Sequence, residues 1–184
     1  IKSIKESGVT KFVSAGYDIK SSETAIELSK KYDFIYTTVG ISPNDVPDSI
    51  DELPQMLKKV EELSINDKVV AIGEIGLDYY WNTENKEIQK QAFIKQIEIA
   101  NKLKLPIVIH TREAVADTLD ILKNIAPVEL KGIFHCCPQN RELIKEALRL
   151  GFYISFAGPI TFKNSKNADE MINLVPLERQ LIET

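Results

Sequence analysis

Cysteine, histidine and tryptophan are scarce in this sequence, with two, two and one in 184 residues, and no apolar run approaches the roughly 20 residues of a membrane helix. Each scarcity excludes something. Cys136 and Cys137 are neighbours, so no intrachain disulfide can join distant segments, and a bridge between adjacent residues would be strained. A reducing cytoplasm fits that usage. No signal-peptide pattern opens the chain, and no segment calls for a membrane or an obligate protein partner. Basic clusters are missing as well. The 27 acidic residues outnumber the 23 basic ones, which argues against broad electrostatic binding to nucleic acid or anionic membrane. An enzyme that grips phosphate through metal ions stays open. The chain has no Gly-rich phosphate loop, serine-nucleophile motif or Cys-x-x-Cys pair.

What is present is one repeated unit. With 43% hydrophobic residues, residues 1–184 can bury a single core. From Gly8 onward, short β-branched runs alternate with amphipathic stretches. Strands are predicted at Val9–Gly16, Phe34–Gly40, Val69–Glu74, Pro106–His110, Lys131–His135, Phe152–Ala157 and from Arg179. Helices are predicted between them, near 22–32, 51–63, 86–104, 112–124, 140–150 and 168–175. Helical crossovers between strands make parallel βαβ units. Ile1–Gly8 reads as the end of a helix stopped by Gly8, and the last strand reads as cut off near Thr184. Seven strands behind an orphan helix imply a TIM-like (β/α)8 barrel, incomplete in this chain as strands two to eight. An open doubly wound sheet is the structural alternative.

Both histidines close an apolar strand: Ile107-Val108-Ile109-His110 and Gly132-Ile133-Phe134-His135. Glu74 ends a third, Val69-Val70-Ala71-Ile72-Gly73-Glu74. Parallel strands place their carboxyl ends on one rim, so Glu74, His110 and His135 converge, and Glu with two His is a ligand set for a divalent ion. A hydrogen bond to a nearby loop would explain either histidine alone. Arg112, two residues past His110, either clamps a phosphate at a helix start or pairs on the surface with Glu113 or Asp117. Asp78 caps a turn or orients the site. Tyr79, Tyr80 and Trp81 pack over the barrel mouth or stack on a base. Strand alternation turns Cys136 away from the axis as a small buried hydrophobe and leaves Cys137 as a marginal metal ligand.

The ordered motifs Gly73-Glu74-Ile75-Gly76-Leu77-Asp78-Tyr79, Ile109-His110-Thr111-Arg112-Glu113-Ala114, Phe134-His135-Cys136 and Ser155-Phe156-Ala157-Gly158 resemble the TatD family of metal-dependent deoxyribonucleases. The resemblance covers nearly the whole chain. It implies a cytoplasmic TIM-like barrel hydrolase acting on DNA phosphodiester bonds, often as an exonuclease, with two divalent ions, Zn, Mn or Mg, at the strand ends. In that pattern Glu74 bridges both metals, and His110 and His135 complete one of them; the mechanism expected from it makes Glu74 the catalytic carboxylate and has Arg112 orient the substrate phosphate. The family's His-x-His pair on the first strand and an Asp after the last strand's Glu-Thr hold the other metal, and neither falls within the numbered residues. Ser42 and Asn44 stand where the family usually has histidines. Two other readings are kept: a related barrel hydrolase acting on amides, lactones or phosphotriesters, and a non-catalytic scaffold.

Overall fold

The computed structural model describes residues 4, 6–81 and 83–183. The expected helix end over Ile1–Gly8 lies partly outside them, as does Thr184. Among the described residues are seven strands: β1 (Phe12–Ala15), β2 (Ile35–Val39), β3 (Val69–Asp78), β4 (Ile107–Arg112), β5 (Ile133–Phe134), β6 (Tyr153–Phe156) and β7 (Gln180–Ile182). Six α-helices alternate with them: α1 (Ile19–Lys31), α2 (Leu53–Ser64), α3 (Lys86–Leu103), α4 (Val115–Asp120), α5 (Arg141–Arg149) and α6 (Ala168–Leu174).

Every strand pair is parallel and the sheet order is β1-β2-β3-β4-β5-β6-β7. A doubly wound sheet reverses its strand order partway across, so this unbroken order rejects that alternative in favour of the curled sheet of a TIM-like fold. Right-handed crossovers of one sense place all helices on one face. Ile72, Ile75, Ile107 and Ile109 are fully buried, and α3 lays Phe93 and Ile97 against them. Its predicted stripe also includes Ala100, which is fully buried, and Leu103, packed at the edge of the core. No described helix is long and apolar enough to cross a membrane.

The first strand begins at Phe12 and the first helix at Ile19, and three further differences from the sequence expectation lie near the site. β3 continues four residues beyond Glu74, because Gly76, Leu77 and Asp78 keep pairing with His110, Thr111 and Arg112 of β4. β4 therefore also runs longer, and Arg112 belongs to a strand rather than to a helix start. Glu113 turns the chain with φ 53° before α4 begins, and a π-helical turn over Ile121–Ile125 prolongs that helix. β5 shrinks to two residues, and the chain leaves it in a turn at His135 and Cys136.

Candidate metal centre

Glu74 reaches the centre through an irregularity in β3. Ile72 and Ile75 pair with Ile107 and Ile109, so three steps on β3 face two on β4. This extra residue is a bulge, the device that re-aims a side chain. The Glu74 N–H donates to the Gly16 carbonyl at 2.7 Å, bridging to the end of β1. Such close passage needs glycine: a Cβ on Gly40 would lie 2.8 Å from the Gly73 carbonyl carbon, and one on Gly73 would lie 2.5 Å from the Val108 Cβ.

Around Glu74 the two histidines are arranged alike. His110 turns Nδ1 toward Glu74 Oε1 at 3.2 Å, and His135 turns Nε2 toward Glu74 Oε2 at 3.4 Å. Each ring's far nitrogen meets another carboxylate, His110 Nε2 with Asp78 Oδ2 at 2.9 Å and His135 Nδ1 with Glu183 Oε1 at 3.1 Å. Ligand atoms of Glu74, His110 and His135 lie within 4.8 Å of one another. Histidine metal ligands characteristically give the other ring nitrogen to a carboxylate, which fixes tautomer and ring orientation. The donor set, its spacing and these outer carboxylates fit a divalent ion.

The match with known proteins is decisive for kinship: the family model for TatD related DNase spans residues 1–184. The chain belongs to the TatD family. Its TatD relatives include YabD of Bacillus subtilis, named an uncharacterized metal-dependent hydrolase, 42% identical over 184 residues, which are 100% of this chain and 71% of that protein. TatD of Erwinia tasmaniensis, named a 3'-5' ssDNA/RNA exonuclease, is 31% identical over 186 residues, covering 100% of this chain and 71% of its own length. The crystal structure of YJJV, a TatD homolog from Escherichia coli k12, shares the fold with a TM-score of 0.89 at 24% identity, over 100% of this chain and 70% of that one. Alignments with uncharacterized metal-dependent hydrolases of Buchnera aphidicola and Escherichia coli take in 82% and 86% of this chain and 55% and 58% of those proteins.

Asp78 does both things the sequence allowed. Its Oδ1 accepts from the Tyr80 and Trp81 N–H groups at 2.9 and 3.1 Å, capping the turn, while Oδ2 holds His110 and accepts from Asn44 Nδ2 at 3.3 Å. Asn44, one of the two departures from the TatD pattern, thus supports the centre through Asp78. Ser42 faces elsewhere, donating to Asp45. Sequence pattern alone assigns Glu183 no role; the signal for it is its place just past the end of β7, on the rim shared with both histidines.

Among the described residues Arg112 does not form the surface pair with Glu113 or Asp117. Asp117 pairs with Lys90 at 2.9 Å and accepts from Tyr79 Oη at 2.7 Å, whereas the Arg112 guanidinium stacks on Tyr80, 3.7 Å from the ring centroid. The cysteines exchange their expected places. Cys136, in the turn with φ 41°, is exposed, while Cys137 packs into the core, where burial pushes its thiol up to about 12. The early end of β5 breaks the alternation on which that expectation rested.

Burial raises the Glu74 pKa, but the His110 hydrogen bond and both imidazole charges outweigh it, holding the carboxylate below its ordinary 4.5. Glu183 also stays below 4.5, burial being outweighed by His135, the Ser155 hydroxyl and the Cys136 N–H. For His135, burial opposes protonation, yet the Glu183 hydrogen bond and the charges of Glu74 and Glu183 raise it above 6.5. The carboxylates contribute stability that is complete above 4.5 and lost as pH falls through their depressed values. His135 contributes stability that is complete below 6.5 and lost as pH rises through its raised value. The unfolding temperature of the metal-free protein, scanned against pH, is expected to peak between 4.5 and 6.5. A peak on the alkaline side of 6.5 would contradict the pairing.

Proposed function

We propose that this chain is the catalytic barrel of a divalent-metal-dependent hydrolase that cleaves phosphodiester bonds in nucleic acid, DNA above all, releasing nucleotides from an end. The observation that carries the reading is the alternating series Asp78, His110, Glu74, His135, Glu183, in which three inner donors are each oriented by the next group outward. The name of the Erwinia tasmaniensis relative supports the substrate class. A bound divalent ion supplies charge stabilisation at a phosphoryl oxygen and an acidified water at neutral pH.

Glu74, His110 and His135 would hold that ion, Glu74 as an ionised carboxylate and each imidazole through the nitrogen facing Glu74. The proposal includes a second ion, with Glu74 shared between the two, as the family resemblance implies. Asp78 and Glu183 keep the imidazoles turned inward. Arg112, on the same strand face as His110, would meet phosphate as it enters. Zn and Mn suit the donors better than Mg.

The test compares single-stranded DNA with a panel of lactone, amide and phosphotriester substrates, each with and without chelator. Chelator-sensitive release of nucleotides is expected. Turnover of a lactone with none on DNA would shift the assignment to the related hydrolases, and no turnover on any substrate would favour a scaffold. Asp78→Asn keeps an oxygen for the turn and removes the carboxylate charge from His110. It is expected to weaken metal affinity roughly 10- to 100-fold, read by competition against a metal-sensitive dye. Unchanged affinity would remove Asp78 from the site.

A further inference from the structure

The loop after Asp78 carries a surface that the metal centre does not use. Tyr80 and Trp81 are 48% and 67% exposed. Their rings meet edge to face with centroids 4.7 Å apart, and the Arg112 guanidinium lies 3.7 Å from the Tyr80 centroid and 5.3 Å from that of Trp81. Packing across the mouth would have buried these rings. Tyr79 alone turns inward against the core. The exposed pair is held in place, because both N–H groups donate to Asp78 Oδ1, whose partner oxygen holds His110. Arg112 stands two residues beyond His110 on β4, so both project from one strand face. One carboxylate therefore fixes the aromatic pair and an imidazole of the metal centre together.

Charge narrows the possible occupants. The chain carries a net charge of −4, and Glu74, Asp78 and Glu183 add local negative charge at the centre, so a polyanion gains little from counterion release here. Base stacking on aromatic rings and guanidinium planes does not depend on that release, and it requires bases freed from a duplex.

We infer that Tyr80, Trp81 and Arg112 form a stacking platform for the bases of one or two unpaired nucleotides beside the metal centre. The inference rests on the phosphodiester reading of the centre and adds how the substrate is gripped and selected.

Trp81 is the sole tryptophan, so its fluorescence reports on the platform directly. The full chain in chelator is titrated with a short oligothymidylate, an abasic strand of equal length and a blunt duplex. Saturable quenching by oligothymidylate is expected, with affinity roughly 5- to 150-fold weaker for the abasic strand, the range that loss of base stacking implies. Trp81→Ala, followed by anisotropy of a labelled oligothymidylate, should lose a similar factor, while Trp81→Phe should recover most of it. With one or two phosphates engaged, log affinity should fall with log salt at a slope of only about −0.7 to −1.4. Equal affinity for abasic and base-bearing strands, a Trp81 signal unmoved by oligothymidylate, or preference for the duplex would overturn the platform. No metal or turnover enters this measurement. Failure here beside chelator-sensitive nuclease activity removes the platform alone, and base-dependent binding without hydrolysis removes the hydrolytic reading alone.

Discussion

Glu74→Ala is expected to abolish chelator-sensitive hydrolysis and stoichiometric metal binding in the same variant. The loss should exceed the roughly 10- to 100-fold that follows removal of an outer-shell partner, because Glu74 is the group on which both imidazoles converge. His110 Nδ1 and His135 Nε2 point at its two oxygens from 3.2 and 3.4 Å. Without it, their ring centroids remain 5.8 Å apart with no inner anion between them. A cation placed there would then have to be neutralised by Asp78 and Glu183, which already face the far nitrogens. The decisive measurements are metal content after dialysis and nucleotide release from single-stranded DNA, on a variant whose unfolding remains cooperative. Metal-dependent cleavage that survives the substitution would remove Glu74 from the centre. Glu74→Gln sharpens the test, since it keeps the volume and removes the charge, and it is expected to fail in the same way.

Gly76→Ala should produce a large loss of stability for a single added methyl group. Gly76 has φ 141°, a conformation L side chains rarely adopt, and a Cβ there would lie 2.0 Å from the His110 carbonyl oxygen. The obstacle is backbone of the paired strand, so no side-chain rotation relieves it. Strained φ and overpacking together cost roughly 2–6 kcal/mol, a large share of the stability of a domain this size. Chemical denaturation should show a lower midpoint with little change in slope, and metal affinity should fall in parallel because His110 belongs to the displaced segment. Gly158→Ala is the control, since nothing lies within 4 Å of a Cβ there, and its effect is expected within about 0.5 kcal/mol. Equal behaviour of the two variants would show that β3 and β4 can separate at Gly76 without consequence.

The βα rhythm could be read because strands buried between helices are nearly continuous apolar runs, and helices covering them repeat at 3.6 residues. Glu74, His110 and His135 could be read for the same reason: each is a polar residue interrupting an apolar run at its carboxyl end, where parallel strands share a rim. Asp78 was ambiguous because sequence assigns one role per side chain, whereas a carboxylate has two oxygens and here each serves a different group.

The sequence by itself determined the order and shared direction of the described strands and the convergence of Glu74, His110 and His135 on one rim, since these depend on periodicity and on position along a strand. Only the tertiary structure decided what lies around them. The β3 bulge that turns Glu74 inward, the extension of β4 that puts Arg112 over Tyr80, the short β5 that exchanges the surroundings of Cys136 and Cys137, and the pairing of His135 with Glu183 all arise from contacts between strands distant in sequence. The hydrophobic pattern specifies which strand face is buried, whereas bulges and strand ends depend on close backbone approach between neighbouring strands.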